Sequence, residues 1–411
     1  MKFLARREFL TAGAMALGST LLTSRVVFAR GNADTKSRFI FIIMRGALDG
    51  LAAAPPYGDR DYPSLRRDLA LKAPGTPGGV LPLSGGLIGL HPSFAFLRES
   101  FEARELVVFH AVASPYRERS HFDGQDVLEN GTVRAHAVQT GWLNRALSVL
   151  PSNSGQGRER GVALGQNVPL VMRGPAAVTS WSPSKLAALD EDTLQRITDL
   201  YAADPLLSGR LADALAADAI AESEGGMAPQ LSAGPPRGGT TRYAEVINAA
   251  AGFLKREDGP QVAVFDTTGW DTHANEGNAE GQLAGRLAAL DTGLRTLREQ
   301  MGPAWGNTAV VLATEFGRTA AVNGTRGTDH GTGAAAFLLG GAVKGGRVIA
   351  DWPGLSSRAL YQGRDLQPTL DLRSVLKGVL EEHLQIPGRA IESNVFPGSG
   401  SAKPLTGLIR T

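Results

Sequence analysis

The chain has 411 residues, which is enough for one large α/β domain or two smaller ones. The formal net charge is +2, and residues near the N-terminus supply +3 of it: Lys2, Arg6, Arg7, Arg25 and Glu8. About −1 is left for the rest of the chain, so no nucleic-acid footprint is visible. The absence of cysteine excludes disulfides, thiolate metal sites and cysteine nucleophiles. Any metal must therefore be held by His, Asp and Glu, ligands that suit zinc, manganese, iron, calcium or magnesium.

An arginine pair, Arg6 and Arg7, precedes a weakly apolar stretch from Leu10 to Phe28. That stretch is too short and too rich in Gly, Ala and Thr to anchor in a bilayer. We interpret residues 1–29 as a twin-arginine signal peptide, which is recognised by the twin-arginine export machinery and cut by signal peptidase after Ala29. The mature protein is then expected in the periplasm or secreted, soluble and without a membrane anchor. An ordinary secretory signal is the alternative, since such signals often contain two arginines.

After a flexible lead predicted over residues 30–37, an apolar run of strand length extends from Phe39 to Met44. Because the run has no polar alternation, it indicates a strand covered on both faces. Regularly spaced leucines from Leu283 to Leu297 predict a helix. Further strands are predicted at Leu106 to Phe109, Val262 to Phe265, Ala309 to Ala313 and Ala334 to Leu339. This alternation predicts an α/β fold class, with a doubly wound, mostly parallel central sheet flanked by helices, in a single domain over residues 38–411.

An insertion of helix and loop is predicted near residues 190–240. The stretch from Asp190 to Ala221 has a helical pattern, which resumes from Tyr243 to Lys255. Between Glu224 and Gly239 the chain is rich in Gly, Pro and Ser, and we expect a mobile loop there and not a domain boundary.

Polar residues follow several of the predicted strands, at the edge where open parallel sheets bind their ligands. The candidates at this edge are Asp49, Asp271, His273, Glu315, Arg318, Asp329 and His330. Most of them also have a structural interpretation. Asp49 can belong to a simple turn with Gly50, and Asp271 with His273 can be a cap or a core pair. Glu315 with Arg318 can be an ion pair at a turn.

Spacing favours a functional role for two of these pairs. If the chain is extended there, Asp271 and His273 lie on one side of it, where a carboxylate and an imidazole can share one cation. Asp329 and His330 stand between glycines, where packing does not explain them.

Ser120 and His121 lie at the predicted start of another helix. Ser120 can be a plain N-cap, with Asp123 completing a turn like a capping box, or it can be a nucleophile or ligand beside free N–H groups. His121 is the stronger functional candidate of the two. The remaining histidines are predicted to be structural: His91, His110, His136 and His383.

Six motifs, in chain order, resemble those of the exported bacterial family called domain of unknown function 1501: Arg45-Gly46-x-x-Asp49-Gly50, Ser120-His121-Phe122, Gly141-Trp142-Leu143, Gly269-Trp270-Asp271-Thr272-His273, Thr314-Glu315-Phe316-Gly317-Arg318-Thr319 and Gly327-Thr328-Asp329-His330-Gly331. The resemblance extends through Asp351-Trp352-Pro353-Gly354-Leu355 and Arg364-Asp365-Leu366, and it covers nearly the whole chain. The chain departs from the family pattern at Ala47, where a second glycine is commoner.

The resemblance implies a fold like that of the alkaline-phosphatase and sulfatase superfamily, whose members cleave phosphate or sulfate esters with metals at the carboxyl edge of the sheet. It implies a divalent metal, such as zinc, manganese, calcium or magnesium, and a nucleophile at Ser120. The implied metal ligands are Asp49, Asp271, His273 and His330. Phe316 stands where many of these hydrolases have a metal-binding His, and this argues for a single-metal site or for binding without catalysis.

Two functions follow from these residues. The first is a metal-dependent hydrolase, in which Glu315 and Asp329 complete the metal set, His121 assists proton transfer and Arg318 holds the anionic group. The second is a non-catalytic protein that binds an anionic envelope component or a partner protein. In both, we expect six residues to converge on one pocket, because each follows a separate strand: Asp49, Asp271, His273, Glu315, Asp329 and His330.

Overall fold

A computed structural model describes residues 37–151, 159–183 and 240–410, with scattered, mostly helical residues between 196 and 215. All of these lie in one compact unit, residues 35–411. The predicted signal peptide, the predicted mobile loop and nearly all of the predicted lead lie outside the described residues. Within the described part of the chain, no helix has the length and apolar character needed to cross a membrane.

The central sheet has nine strands in the described residues: β1 (Arg38–Arg45), β4 (Leu106–Ala113), β5 (Gly161–Leu164), β6 (Val178–Trp181), β7 (Val262–Thr268), β8 (Thr308–Ala313), β9 (Ala334–Leu339), β10 (Arg347–Ile349) and β11 (Leu370–Asp371). Their order in the sheet is β10-β4-β9-β8-β1-β7-β5-β6, with β11 also beside β4. A separate antiparallel pair is formed by β2 (Leu81–Pro82) and β3 (Gly89–Leu90).

Helices cover both faces of the sheet. They are α1 (Gly50–Ala53), α2 (Tyr62–Arg66), α3 (Ala95–Glu102), α4 (His121–Asn130), α5 (Trp142–Val149), α6 (Thr240–Lys255), α7 (Gln282–Met301), α8 (Leu372–Glu382) and α9 (Gly388–Ala390). Alternate side chains of β1 pack against the helices on opposite faces of the sheet. Ile40 and Ile42 pack with α3, α6 and α7, whereas Phe39 and Phe41 pack with α5 and α8.

The predicted mostly parallel sheet flanked by helices is confirmed, and every predicted strand is present. Strand β9 differs from its neighbours because it runs antiparallel to both β4 and β8. Its direction corrects one step of the convergence argument, since Asp329 and His330 precede β9 and do not follow a strand. The start of an antiparallel strand lies at the same edge as the ends of its neighbours.

That edge is where β1, β7 and β8 end side by side. Ile43 pairs with Asp266 of β7 on one side and with Ala313 of β8 on the other. The loops that leave this edge carry the candidate site. They are the β7–α7 loop (residues 269–281), the β8–β9 loop (residues 314–333) and the segment leading into α4.

Candidate metal centre

Three imidazoles and one carboxylate converge at this edge. The Nε2 atom of His273 lies 3.0 Å from Nε2 of His330 and 3.0 Å from Oδ1 of Asp271. His330 Nε2 is 3.2 Å from the same oxygen, and His121 Nε2 is 3.3 Å from the other oxygen, Oδ2. Two ligands of a tetrahedral ion with bonds of about 2.0–2.1 Å lie about 3.3 Å apart. These four separations are in the range expected for ligands of one small cation, and the donor atoms of His121, Asp271 and His330 all lie within 4.8 Å of one another.

The opposite ring nitrogen of each histidine faces an acceptor. Nδ1 of His121 lies 2.8 Å from Oε1 of Glu315, and Nδ1 of His330 lies 2.9 Å from the carbonyl oxygen of Arg119. Nδ1 of His273 is 3.5 Å from a carboxylate oxygen of Asp329. An Nδ1–H that donates to such an acceptor leaves the lone pair on Nε2, which is the tautomer of a metal ligand. All three rings are thus oriented with Nε2 towards the cluster.

The Nε2 atom of His121 is the most informative atom of the cluster. It is buried and has no hydrogen-bond partner among the described residues, although Asp271 Oδ2 is only 3.3 Å away. If Nδ1 holds the proton for Glu315, the Nε2 lone pair and the carboxylate oxygen are two acceptors facing each other. Such a contact is unfavourable unless a proton or a cation lies between the two atoms.

The charges of the cluster are set by its neighbours. Contact with Glu315 raises the pKa of His121 above its ordinary value. Burial, with His121 close by, lowers the pKa of His330. Burial acts to raise the pKa of Asp271, but the guanidinium of Arg318 and the adjacent imidazoles hold it below its ordinary value. At neutral pH the charged carboxylate of Asp271 and the neutral His330 are therefore suited to a cation, whereas the raised pKa of His121 favours its protonated form, which a bound cation has to displace.

The guanidinium of Arg318 forms hydrogen bonds with other residues of the protein. Arg318 is 1% exposed, and its Nη1 donates to Oδ1 of Asp271. Its other donors bond to Thr328, with Nε 3.0 Å from the hydroxyl and Nη2 on the carbonyl oxygen. The expected role for Arg318 was to hold an anionic group of a ligand, whereas the structure has it orienting a carboxylate of the cluster.

Asp49 does not join the cluster. It caps α1, where its Oδ1 accepts from the N–H groups of Leu51 and Ala52 at 2.9 and 3.2 Å. Its Oδ2 forms an ion pair with the buried Arg66. The turn before it uses Ala47 with φ of 57°, a conformation that favours glycine, and Asp49 is directed into the protein instead of projecting. Local capping and a long-range ion pair thus occupy the carboxylate expected to bind metal.

Glu315 and Asp329, also expected as metal ligands, lie behind the imidazoles and not in front of them. Each faces the Nδ1 side of a histidine, Glu315 at His121 and Asp329 at His273. Glu315 is fully buried, and its Oε1 also accepts from the N–H of Gly46 at 2.9 Å. Both carboxylates occupy the position of groups that orient ligands.

The expected proton-transfer residue His121 instead belongs to the group of donors, with Asp271 and His330. Its ring stacks on Phe316, with centroids 5.0 Å apart. Phe316 thus forms an apolar wall beside the cluster. Ser120 is half-buried at the N-cap position of α4, but its hydroxyl makes no capping hydrogen bond.

Sequence reasoning missed several residues that support the cluster. Gln125 donates to Glu315 at 3.1 Å, and its position one helical turn after His121 could have indicated this. Glu276, fully buried in the β7–α7 loop, and Arg66 of α2 pair with each other at 3.4 Å behind the cluster. They have no local sequence signal, because their partners lie far away in the chain.

The sequence matches the model of one protein family over residues 110–395, and the description of that family is "Protein of unknown function (DUF1501)". The chain belongs to this family. The matched region contains the whole cluster of imidazoles and carboxylates, from His121 to His330, but not Asp49. No curated protein matches the sequence.

Several solved structures are similar to this chain. A 2-O GAG sulfatase is 12% identical over 76% of this chain and 66% of its own, with a TM-score of 0.30. Ps i-CgsB in complex with k-i-k-neocarrahexaose is 12% identical over 90% and 77%, with a TM-score of 0.39. The C-terminal periplasmic domain of EcEptC from Escherichia coli, in complex with Zn, is 11% identical over 74% and 72%, with a TM-score of 0.29.

The chain spans 66% of the length of the first of these structures. With TM-scores below 0.5, the similarities do not bear on the activity of this protein. The chemistry of the cluster is therefore interpreted from its own geometry.

Proposed function

We propose that this protein binds a divalent metal ion through His121, Asp271, His273 and His330 and hydrolyses phosphate or sulfate esters with it. The observation that carries the proposal is the 3.3 Å contact between the buried His121 Nε2 and Asp271 Oδ2. A cation shared by both atoms, in place of the proton of a protonated His121, makes this contact favourable. The spacing of the other donors, 3.0 to 3.2 Å, suits the same ion.

The donor set favours zinc or manganese. Three imidazole nitrogens with one carboxylate are typical of transition-metal ions, whereas calcium and magnesium prefer shells made of oxygen. The second carboxylate that could add an oxygen ligand, Glu315, is turned to the Nδ1 side of His121. One ion, and not a pair of ions, fits these residues.

When bound, such an ion supplies Lewis acidity to an ester oxygen and makes water a better nucleophile at neutral pH. The protein's own residues keep the donors in place, with Glu315 fixing His121 and Arg318 fixing Asp271. The four donor side chains are between 24% and 46% exposed, so a substrate can reach them. Ser120, directly before His121, is the side chain that we would test as an alternative nucleophile.

A non-catalytic role is the second candidate, and the number of donors favours it. Three imidazoles and a carboxylate complete a tetrahedral shell, as in structural zinc sites, whereas catalytic sites keep one position open. In this role the exposed cluster binds an anionic envelope component or a partner protein. The ion pair of Asp271 with Arg318 argues for the hydrolase, because a carboxylate engaged in this way is a weaker fourth ligand.

Elemental analysis of protein purified from its native host tests the metal, since an exported protein can be loaded before export. We expect about one zinc or manganese per chain in the wild type and a loss of most of it in His330→Ala. The control is His136→Ala, because His136 lies between Asp123 and Asp126 outside the cluster. Hydrolysis of p-nitrophenyl phosphate or sulfate by metal-loaded protein then supports the hydrolase. Stoichiometric metal without hydrolysis favours the non-catalytic role, and a wild type without metal contradicts both.

A further inference from the structure

A single buried carboxyl group connects the two loops that carry most of the metal donors. Oε2 of Glu276 accepts hydrogen bonds from the hydroxyl of Thr272 at 2.9 Å and from that of Thr328 at 2.8 Å. Thr272 stands between the donors Asp271 and His273 in the β7–α7 loop. Thr328 lies two residues before His330 in the β8–β9 loop. The spacing of the two loops is therefore set partly at one oxygen atom.

The connection reaches a donor through Arg318. The Thr328 hydroxyl, which donates to Glu276, also accepts from Nε of Arg318 at 3.0 Å. The same guanidinium donates through Nη1 to Oδ1 of Asp271. Glu276, Thr328, Arg318 and Asp271 thus form a continuous chain of hydrogen bonds, in which Thr328, Arg318 and Glu276 are buried.

The other oxygen of Glu276 faces Arg66, at 3.4 Å from Nη2, and Asp49 shares that guanidinium. Burial, with the Asp49 carboxylate close by, raises the pKa of Glu276 to about 8. A protonated Glu276 keeps its Oε2 as a carbonyl acceptor for both threonine hydroxyls. Its function in the network thus depends on this acceptor, and an amide of the same shape supplies the same acceptor.

We infer that Glu276 is a positioning residue for the metal centre, which holds the β7–α7 and β8–β9 loops at the spacing that one metal ion requires. The inference rests on the proposed metal binding. Loss of the acceptor removes this link between the loops and leaves the hydroxyl hydrogens of two buried threonines without an acceptor, so that the loops shift and their metal donors lose the geometry that one ion requires.

Binding of Co²⁺ tests this inference, because its visible spectrum reports coordination geometry and competition with a chelator gives its affinity. We expect Glu276→Met to weaken Co²⁺ binding by about tenfold or more and to change the spectrum. Glu276→Gln should keep affinity within about threefold and keep the wild-type spectrum, because its amide oxygen accepts both hydroxyls. Thr328→Val should weaken binding as Glu276→Met does, and combining the two should add little further loss.

The matched control is Asp291→Leu, which removes another buried carboxylate. Asp291 accepts from the N–H groups of Phe96 and Leu97 at the start of α3, away from the metal donors. The Asp291→Leu substitution should lower the melting temperature without weakening Co²⁺ binding. If Glu276→Met does not fold, Thr328→Val provides the test.

Wild-type Co²⁺ affinity and spectrum in folded Glu276→Met or Thr328→Val would overturn the inference and leave the proposed function standing. A wild type that binds neither Co²⁺ nor a native metal would overturn the proposed function, and this inference with it.

Discussion

Each imidazole of the cluster is oriented by the acceptor at its Nδ1 atom. For His121 that acceptor is Glu315, a fully buried carboxylate, and for His330 it is the carbonyl oxygen of Arg119. Arg119 has a φ of 64°, a backbone conformation that is uncommon for a residue with a side chain. The carbonyl of Arg119 and the buried carboxylate of Glu315 both direct the Nε2 atom of their histidine towards the centre of the cluster.

Glu315→Gln should weaken metal binding by about 10- to 100-fold, because the amide loses the charge that holds the Nδ1 proton of His121. Competition with a chelator measures the affinity. Glu129→Gln is the matched control, since Glu129 is also buried but bonds to Arg45 and to the N–H of Val171. Equal affinities in the two variants would show that Glu315 does not orient a ligand.

At the scale of elements, the cluster depends on the close approach of two loops. A Cβ atom added at Gly327 of the β8–β9 loop would lie 2.4 Å from the carbonyl of His273 and 2.5 Å from that of Thr272. The hydrogen bond from the N–H of Thr328 to the carbonyl of Thr272, at 3.2 Å, joins the loops at the same place. A side chain at Gly327 therefore has no room unless the loops separate.

Gly327→Ala should reduce metal affinity by about tenfold or more, since the two loops must shift to relieve the contacts of 2.4 and 2.5 Å and so displace their donors. Gly324→Ala is the control within the same loop, because a Cβ atom there meets nothing within 4 Å. Isothermal titration with Zn²⁺ distinguishes the two variants. An unchanged affinity in folded Gly327→Ala would contradict the requirement for close contact.

At the scale of the whole molecule, stability should depend on pH through the buried His110. This side chain is fully buried, with Nε2 2.9 Å from the carbonyl oxygen of Ala54 and Nδ1 accepting from the N–H of Ala111. Burial lowers the pKa of His110 from 6.5 to about 4. The unfolded chain therefore takes up a proton near pH 6.5 that the folded protein takes up only near pH 4, and stability falls as the pH drops through this range.

Between pH 7 and pH 5 this difference should lower the free energy of unfolding by about 2 kcal/mol. This decrease should be absent in His110→Asn, so that the free energies of unfolding of the two proteins approach each other as the pH falls. Urea unfolding at several pH values measures it. Parallel curves for wild type and variant would refute the contribution of His110.

Export also concerns the whole molecule, and we propose that Arg6 and Arg7 direct it jointly. A signal of low hydrophobicity offers little for the general secretory machinery to bind. Replacing both with Lys keeps their charge and should retain the precursor in the cytoplasm. Arg25→Lys in the same segment should leave export intact. Undiminished export of mature protein by the double variant, followed in cell fractions, would exclude the twin-arginine route.

Elements whose signals are local follow from the amino-acid sequence alone. The apolar runs of β1, β7, β8 and β9 predict strands because burial on both faces excludes polar residues from them. The leucine spacing of α7 is equally local. Asp271 and His273, which follow the parallel strand β7, could also be predicted, since parallel strands deliver their ends to one edge.

Which candidate side chains face the cluster depends on tertiary packing. Asp49 and Asp271 both follow apolar strands, but the carboxylate of Asp49 caps α1 and pairs with Arg66, whereas that of Asp271 faces three imidazoles. The antiparallel direction of β9 and the role of Glu276 depend in the same way on partners far away in the chain. Such choices are made by packing and by competition for hydrogen-bond partners between distant segments, and a local pattern does not contain that information.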